Sequence, residues 1–376
     1  MYNKNSMWNK IKKLFHSTAF NIFLIFALAF LVLFVSMKDD YVDVINTLKK
    51  VKIGWLAFML GLMVLERYML GWGLAAEVRL THPKYTNKQG FVNAYTAGLF
   101  NNITPGASGG QIAQGYIFRK QGIPVSNSVG VLWLDFIVYQ MTMCAFVFFL
   151  LLIRFNYFYQ NYSQFFLIVI LGFLVAVGII GFLWALALSP RFYTWLTTKG
   201  IKIGAKLHIV RNEKETLRNL DTQLEQFAKE IVVLKTHKKL IALLSIEDLG
   251  RLFIYYAVPF FCALALGLDV KPSMFIDMTA LASFVAMVNA FLPMPGSSGG
   301  TEATFILMFS TLFSQSDATS IMILWRLLTF YQVLIIGSCV FFYARTRKDI
   351  PVEETHVPTT YNPSALKEAM DKEEKQ

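Results

Sequence analysis

Two copies of one short motif contain the residues best suited to bind an anion. Residues 105–110 read Pro-Gly-Ala-Ser-Gly-Gly, and residues 295–300 read Pro-Gly-Ser-Ser-Gly-Gly, at an offset of 190. Proline and small residues permit a tight turn, and a helix that begins after Gly-Gly has N–H groups without an intrahelical partner. A helix start also carries partial positive charge, so two such turns together could hold one phosphate group. The alternative is that the glycines only let helices pack closely. The candidate residues in the turns are Pro105, Gly106, Ser108, Gly109, Gly110, Pro295, Gly296, Ser298, Gly299 and Gly300.

Charged residues within apolar stretches form the second candidate group. Arg67, Arg251 and Arg326 each interrupt a long apolar run, as does Asp135, and Glu302 follows the second motif. Ionised groups inside a membrane are costly and usually functional. We therefore predict that the three arginines bind an anionic headgroup, and that Asp135 or Glu302 pairs with an arginine or carries a coupling proton. Structural ion pairs between helices are the alternative for each residue.

Further polar residues lie beside the first motif and near the ends of the apolar runs. Asn101 and Asn102, just before the first motif, either contact the headgroup or satisfy exposed carbonyls. Glu247 and Asp248 lie within about two helical turns of a predicted cytoplasmic boundary, so we expect them to reach water. The three cysteines lie in apolar runs and the five histidines lack zinc-motif spacing, so the sequence predicts no metal and no cofactor.

The composition indicates what kind of chain positions these groups. Of 376 residues, 55% are hydrophobic and only 16% are charged, and the mean hydropathy is +0.49. A soluble chain needs roughly a quarter of its residues charged. The sequence therefore predicts an all-α polytopic membrane protein, and it excludes an ordinary cytosolic enzyme or a secreted disulfide scaffold.

Six apolar runs are long enough to cross a membrane as helices. They lie near 18–37, 53–74, 128–153, 164–188, 240–268 and 319–343. Two shorter runs, 91–103 and 275–293, each lead into a motif that no lipid-facing helix could contain without leaving backbone groups unpaired. We interpret them as the first arms of two re-entrant hairpins.

The basic residues indicate the orientation. Of the 35 lysines and arginines, 26 lie in segments that this topology places inside and 6 in those outside. The positive-inside rule then predicts a multi-pass protein of the bacterial plasma membrane with both termini cytoplasmic. The net charge of +11 is accordingly a topology signal, and no nucleic-acid partner is expected.

The predicted domain organisation follows from these runs. A basic N-terminus, 1–17, precedes a membrane domain at 18–345, and a tail at 346–376 is expected to be disordered. The insert at 189–239 contains an amphipathic helix near 213–235, which lies either on the membrane interface or on the protein's own cytoplasmic face.

An internal repeat relates the two motifs. Trp133 and Tyr139 recur as Trp325 and Tyr331 at an offset of 192, whereas Arg67 and Arg251 match only weakly. The repeat units span about 53–153 and 240–343, and three predicted crossings separate equivalent points. An odd number of crossings predicts an inverted-topology repeat, which is typical of alternating-access transporters. A duplicated channel or a structural membrane protein is the alternative.

The two motif regions also resemble a known family. The first region has Asn101-Asn102, Thr104-Pro105-Gly106, Ser108 to Gln111, and then Arg119 to Gly122; the second runs from Pro295 to Glu302. This pattern resembles the flippase-like membrane domain of bacterial lysylphosphatidylglycerol synthases (MprF type), over nearly all of 10–345. The resemblance implies movement of aminoacylated phosphatidylglycerol to the outer leaflet, and with it resistance to cationic antimicrobial peptides. Full-length members carry a following aminoacyltransferase domain, and only about 30 residues follow Tyr343 here, so we expect no lipid aminoacylation by this chain alone.

The leading hypothesis is a lipid flippase that moves a phospholipid or glycolipid headgroup, lysyl-phosphatidylglycerol-like or polyprenyl-phosphate-linked, between leaflets. The expected partners are the membrane lipid substrate and, in addition, a separate lipid synthase or glycosyltransferase or a second copy of the chain. The alternatives are a membrane subunit or enzyme of lipid modification, of the phosphatidylglycerol lysyltransferase type, and a scaffold for a separate synthase.

Overall fold

The computed structural model describes residues 51–104, 108–155, 236–289 and 299–351, together with positions 42, 46 and 49 and five positions between 174 and 182. These residues form helices and connecting turns, without a strand, in agreement with the predicted all-α class. The helices are α1 (Ile53–Val78), α2 (Asn87–Ile103), α3 (Gly109–Lys120), α4 (Val125–Ile153), α5 (Lys238–Ala265), α6 (Met274–Asn289), α7 (Gly300–Phe309), α8 (Gln315–Arg326) and α9 (Gln332–Thr346), and a π-helical turn, Leu327–Tyr331, joins α8 to α9.

Three helical stretches in the described part are long and apolar enough to cross a membrane. They are Ile53–Val78, Asn127–Ile153 and Gln315–Thr346, where the sequence predicts runs at 53–74, 128–153 and 319–343. The run at 240–268 forms α5, which is about 42 Å long at 1.5 Å per residue but is not among these three stretches. The predicted run 18–37, most of 164–188, the insert helix near 213–235 and the tail after 351 lie outside the described residues.

The order of elements is the same in the two halves of the described chain. A long helix, two short helices and a second long helix occur as α1 to α4, and again as α5 to the continuous α8–π–α9 segment. The short pairs α2–α3 and α6–α7 occupy the positions of the predicted hairpins.

Helix α2 begins earlier than predicted because Thr86 and Gln89 form a capping box. Thr86 Oγ1 accepts a hydrogen bond from the Gln89 N–H at 3.3 Å, and Gln89 Oε1 accepts one from the Thr86 N–H at 2.9 Å.

The two equivalent long helices, α1 and α5, pack against each other in opposite directions. Near the start of α1, Met59 Sδ lies 3.8 Å from Cys262 Sγ, close to the end of α5. Near the end of α1, Gly73 lies against Glu247, close to the start of α5. Contacts that run in opposite order along the two helices establish antiparallel packing.

The first short helix of each half packs on a long helix of the opposite half. α2 contacts α9, where the Lys88 ammonium lies 5.5 Å from the Tyr343 ring centroid. α6 contacts α4, where Arg154 Nε lies 2.8 Å from Asp277 Oδ1. In both cases the start of a short helix meets the end of a long helix, so the cross-contacts of the two halves are reciprocal.

Close packing inside the bundle contrasts with its apolar outer surface. α1 and α2 approach through Gly71 and Gly90, where a Cβ on Gly90 would lie 1.9 Å from the Gly71 carbonyl oxygen. Phe149 and Ile246 are instead 60% and 66% exposed on the outside. Large exposed apolar side chains are unusual on a soluble monomer and suit contact with lipid.

Candidate functional site

A polar cavity of about 490 Å³ lies among the helices of both halves. Its residues come from the first helix of each half, α1 and α5, from α2, α3, α4, α6 and α7, and from α8 with the π turn. Its charged lining residues are Glu66, Arg67, Asp135, Arg251 and Arg326, and its other polar residues are Asn101, Asn102, Gln111, Gln114, Tyr139, Tyr255, Tyr256, Thr301, Trp325 and Thr329.

The cavity brings together part of the candidate site proposed from the sequence. Arg67, Asn101, Asn102, Asp135, Arg251 and Arg326 all line it. Ser108, Gly109, Gly110, Gly299, Gly300 and Glu302 are described but are not among its lining residues. Pro105, Gly106, Pro295, Gly296 and Ser298 lie outside the described residues.

Arg251 is held by carboxylates on one side of the cavity. Its Nη2 lies 2.7 Å from Asp248 Oδ1, and its Nε donates to the same oxygen at 2.8 Å. Glu66 Oε1 on α1 lies 3.7 Å from Nη1. The guanidinium also lies 4.7 Å from the centroid of the Tyr139 ring, a distance at which a cation is attracted to an aromatic face. This arginine therefore joins α1, α4 and α5.

Arg326 is held by the residue that follows the second motif. Its Nη2 and Nε lie 2.6 and 2.7 Å from Glu302 Oε1, and its guanidinium lies 4.4 Å from the Phe330 ring centroid. The other Glu302 oxygen accepts a hydrogen bond from the Gly299 N–H at 2.6 Å. Gly299 has a φ of +84°, a conformation that favours glycine, and α7 begins directly after it. Glu302 is thus the pairing partner that the sequence analysis left open.

Two charged groups of the cavity keep binding capacity for a ligand. Arg67 Nε lies 3.3 Å from Glu66 Oε2, and the Arg67 side chain is 17% exposed. The partly buried Asp135 carboxyl has no ion pair or hydrogen bond within the described ranges. The cavity therefore offers a guanidinium that can donate to an oxyanion and a carboxylate that can accept from a cation or a hydroxyl.

The first glycine turn uses its free N–H groups internally. The Gly109 N–H donates to Thr104 Oγ1 at 2.8 Å, and the Gly110 N–H donates to Asn101 Oδ1 at 2.9 Å. Asn102 Nδ2 donates at 3.4 Å to the Phe330 carbonyl in the π turn. Asn102 therefore satisfies a carbonyl, which is one of the two roles predicted for the asparagines, whereas Asn101 accepts from an N–H, a role that was not predicted.

The sequence analysis misjudged two acidic residues. Glu247 and Asp248 were expected to reach water, but they are only 8% and 3% exposed because α5 packs along α1. Their spacing carried a usable signal, since they lie four and three residues before Arg251 and such positions share one helix face. Glu66 carries no such spacing signal, because it directly precedes Arg67 and adjacent positions do not share a helix face.

Comparison with protein families identifies the chain. Residues 20–337 match the family model described as the lysylphosphatidylglycerol synthase TM region. The chain belongs to this family. The match covers both motifs and every described helix except the end of α9, so the resemblance inferred from the motifs is confirmed. Curated proteins and solved structures give no match. The family and the three long apolar helices together establish a membrane protein.

Proposed function

We propose that this protein is a lipid transporter, or flippase, that moves a phospholipid or glycolipid headgroup between the leaflets of the bacterial plasma membrane. The polar cavity among apolar helices carries the proposal, because a headgroup needs polar partners while it crosses the hydrocarbon layer. Membership of the lysylphosphatidylglycerol synthase TM family supports a lipid as the substrate. The acyl chains would stay in the surrounding lipid.

The charges of the cavity favour a headgroup with charges of both signs. Arg67 can donate hydrogen bonds to a phosphate oxygen, and the Asp135 carboxylate can accept them from a protonated amine. Arg251 and Arg326 are already paired with Asp248 and Glu302, so they shape the cavity more than they attract an anion. An aminoacylated phosphatidylglycerol meets both requirements. A phosphate-linked glycolipid meets the first, with its hydroxyls donating to Asp135.

Alternating access through an inverted repeat would expose the cavity to each leaflet in turn. The antiparallel packing of α1 on α5 supports this arrangement, because equivalent helices then run in opposite directions across the membrane. The reciprocal contacts of α2 with α9 and of α6 with α4 support it as well, since a twofold relation between the halves requires them. In this arrangement α2–α3 and α6–α7 are the re-entrant hairpins, and both termini are cytoplasmic.

The glycine turns remain part of the proposed site. In this proposal the N–H groups of Gly109 and Gly110 exchange Thr104 and Asn101 for headgroup oxygens during the transport cycle. Ser108 is exposed at the start of α3, and Ser108→Leu should obstruct the headgroup.

The experiment is leaflet-specific accessibility of lipids in liposomes that contain the purified protein. Phosphatidylglycerol, lysyl-phosphatidylglycerol and a neutral glycolipid are compared in wild type and in Asp135→Asn. We expect wild type to move lysyl-phosphatidylglycerol fastest, and Asp135→Asn to slow that lipid several-fold more than phosphatidylglycerol. Asp317→Asn, at a half-buried carboxyl at the start of α8 that does not line the cavity, is the control. If folded wild type moves none of the lipids, transport is refuted, and a scaffold for a separate lipid synthase becomes the better explanation.

A further inference from the structure

The buried acidic cluster beside the cavity contains more carboxyl groups than cations. Glu66, Glu247 and Asp248 lie within 4 Å of a guanidinium of Arg67 or Arg251. The adjacent helix α4 adds the Tyr139 ring and the Asp135 carboxyl. Asp248 lies closest to Arg251, at 2.7 Å, and Glu66 lies closest to Arg67, at 3.3 Å. Glu247 has only the Arg251 Nε, at 3.6 Å, which already donates to Asp248.

We propose that Glu247 is a proton-binding site, and that a proton bound there couples headgroup movement to the pH gradient across the membrane. The coupling step rests on the proposed transport function, whereas proton binding does not. The step is a proton transfer alone: Glu247 takes a proton from the side to which the cavity is open and releases it on the other side.

The surroundings of Glu247 favour its neutral form. The residue is 8% exposed, and its Oε1 has no hydrogen-bond partner within the described part of the chain. Its Oε2 packs on the backbone of α1, where a Cβ added to Gly73 would lie 2.8 Å away. An ionised carboxylate without donors in such a place costs several kcal/mol, on the order estimated for unpaired buried charges. Protonation removes that cost.

The cavity links Glu247 to the headgroup site. Glu66 lines the cavity and contacts both Arg67 and Arg251, so it connects the proposed phosphate ligand to the cluster. A phosphate bound to Arg67 draws that guanidinium away from Glu66, and Glu66 then competes for Arg251. Glu247 loses its weak ion contact and holds its proton more firmly. Binding of the headgroup and of the proton therefore favour each other, as linked equilibria require.

Proton binding can be tested on the purified protein without any lipid assay. Infrared spectra recorded as a pH titration detect the carbonyl stretch of protonated carboxylic acids. We expect wild type to keep such a band at neutral pH and Glu247→Gln to show a weaker band, whereas Asp317→Asn keeps the full wild-type band. Asp135→Asn identifies the part of the band that belongs to the other carboxyl of the cluster without a close cation. An identical neutral-pH band in Glu247→Gln and wild type, in folded protein, overturns the assignment.

Coupling is tested in sodium-free liposomes with a pH gradient of one unit, imposed in either direction, and lysyl-phosphatidylglycerol as the probe. One proton per lipid supports up to about a tenfold ratio between leaflets at equilibrium. We expect the ratio to reverse with the gradient in wild type, and Glu247→Gln to give the same ratio for both directions. Wild-type movement that is indifferent to the gradient overturns coupling. Absence of movement in every condition refutes transport and coupling together, and the infrared result then decides proton binding separately.

Discussion

Nη2 of Arg326 lies 2.6 Å from Oε1 of Glu302, and this ion pair ties α8 to the start of α7 beside the cavity. Glu302 also accepts from the Gly299 N–H, so one carboxylate both begins α7 and holds the arginine. The end of the second glycine motif and the last of the three cavity arginines thus form one structural unit. A substitution of Glu302 should therefore change the position of the Arg326 side chain, and a substitution of Arg326 should change that of Glu302.

Glu302→Gln should destabilise the protein while keeping the cap on α7. Glutamine retains an acceptor for the Gly299 N–H, but it leaves the buried Arg326 without the carboxylate charge. Loss of one partner of a buried pair costs about 3 kcal/mol. Thermal unfolding in detergent should therefore show a lower midpoint, and Glu302→Leu with Arg326→Met should recover part of the loss. Equal midpoints for wild type and Glu302→Gln contradict the structural importance of the pair.

Arg67→Gln should slow the movement of every lipid with a phosphate headgroup. Of the three cavity arginines, Arg67 has the longest ion-pair distance to its nearest carboxylate, 3.3 Å. One charge-assisted hydrogen bond to a phosphate contributes about 1.5–3 kcal/mol, which is a factor of roughly ten or more in rate or affinity. The measurement is the rate of phosphatidylglycerol translocation in liposomes. Arg119→Gln is the matched control, because Arg119 is exposed at the far end of α3. Equal slowing in both variants points to a general charge effect and against a specific contact.

The arginines could be found from the sequence, whereas the burial of Glu247 could not. A charged residue within an apolar run can be recognised from the sequence, because the run itself predicts that the residue is buried in the membrane. Glu247 lies nearer the end of its run, and its environment depends on Gly73, which brings the α1 backbone against the carboxyl. That contact joins residues more than 170 positions apart.

The glycine turns show a similar limit. Their small residues predicted a turn followed by a helix, and α3 begins at Gly109 as that pattern requires. The partners of these N–H groups depend on where α2 ends, because Asn101 and Thr104 at the end of α2 accept from Gly110 and Gly109 at the start of α3. The sequence cannot show whether such an N–H group is free to bind a ligand or already donates to the preceding helix.

Gly90→Ala should destabilise the contact between α1 and α2. The added methyl would lie 1.9 Å from the Gly71 carbonyl oxygen, so the helices must separate. Overpacking of this kind costs about 1–3 kcal/mol. Gly61→Ala on α1 is the control: nothing lies within 4 Å of the added methyl, and alanine favours a helix by up to about 1 kcal/mol. Thermal unfolding should rank Gly61→Ala at or above wild type and Gly90→Ala below it, and the reverse order is incompatible with this packing.

Tyr85 should make stability depend on alkaline pH. It lies in the connection between α1 and α2, where its hydroxyl donates to Gln121 Oε1 at 2.5 Å. Burial raises its pKa well above the ordinary value, although a hydrogen bond with Asn93 lowers the pKa in part. A pKa that is raised in the folded state means that this stabilisation is present below about pH 10 and is lost as the pH rises further.

The variant Tyr85→Phe isolates this effect. It should be about 1–2 kcal/mol less stable than wild type at pH 7, because the hydrogen bonds of the hydroxyl are missing. The difference should shrink above pH 10, because the phenol of unfolded wild type ionises there while the buried phenol of the folded protein stays neutral. Unfolding midpoints of both proteins between pH 7 and 11 provide the measurement. A constant difference over that range contradicts a neutral, buried Tyr85.

Met59→Cys should form a disulfide with the native Cys262, which tests the antiparallel packing of α1 and α5. The sulfurs of Met59 and Cys262 lie 3.8 Å apart, and a cysteine sulfur at position 59 would lie one bond nearer the α1 backbone, so small movements of the two helices bring the thiols into bonding range. Cys144 and Cys339 are replaced by alanine to leave one possible pair. After mild oxidation and denaturation, neither thiol of the Met59→Cys protein should react with maleimide. In the control protein Gly54→Cys, where nothing lies within 4 Å of the added Cβ, both thiols should react. Equal labelling of the two variants places the end of α5 elsewhere, and the support for an inverted repeat is lost with it.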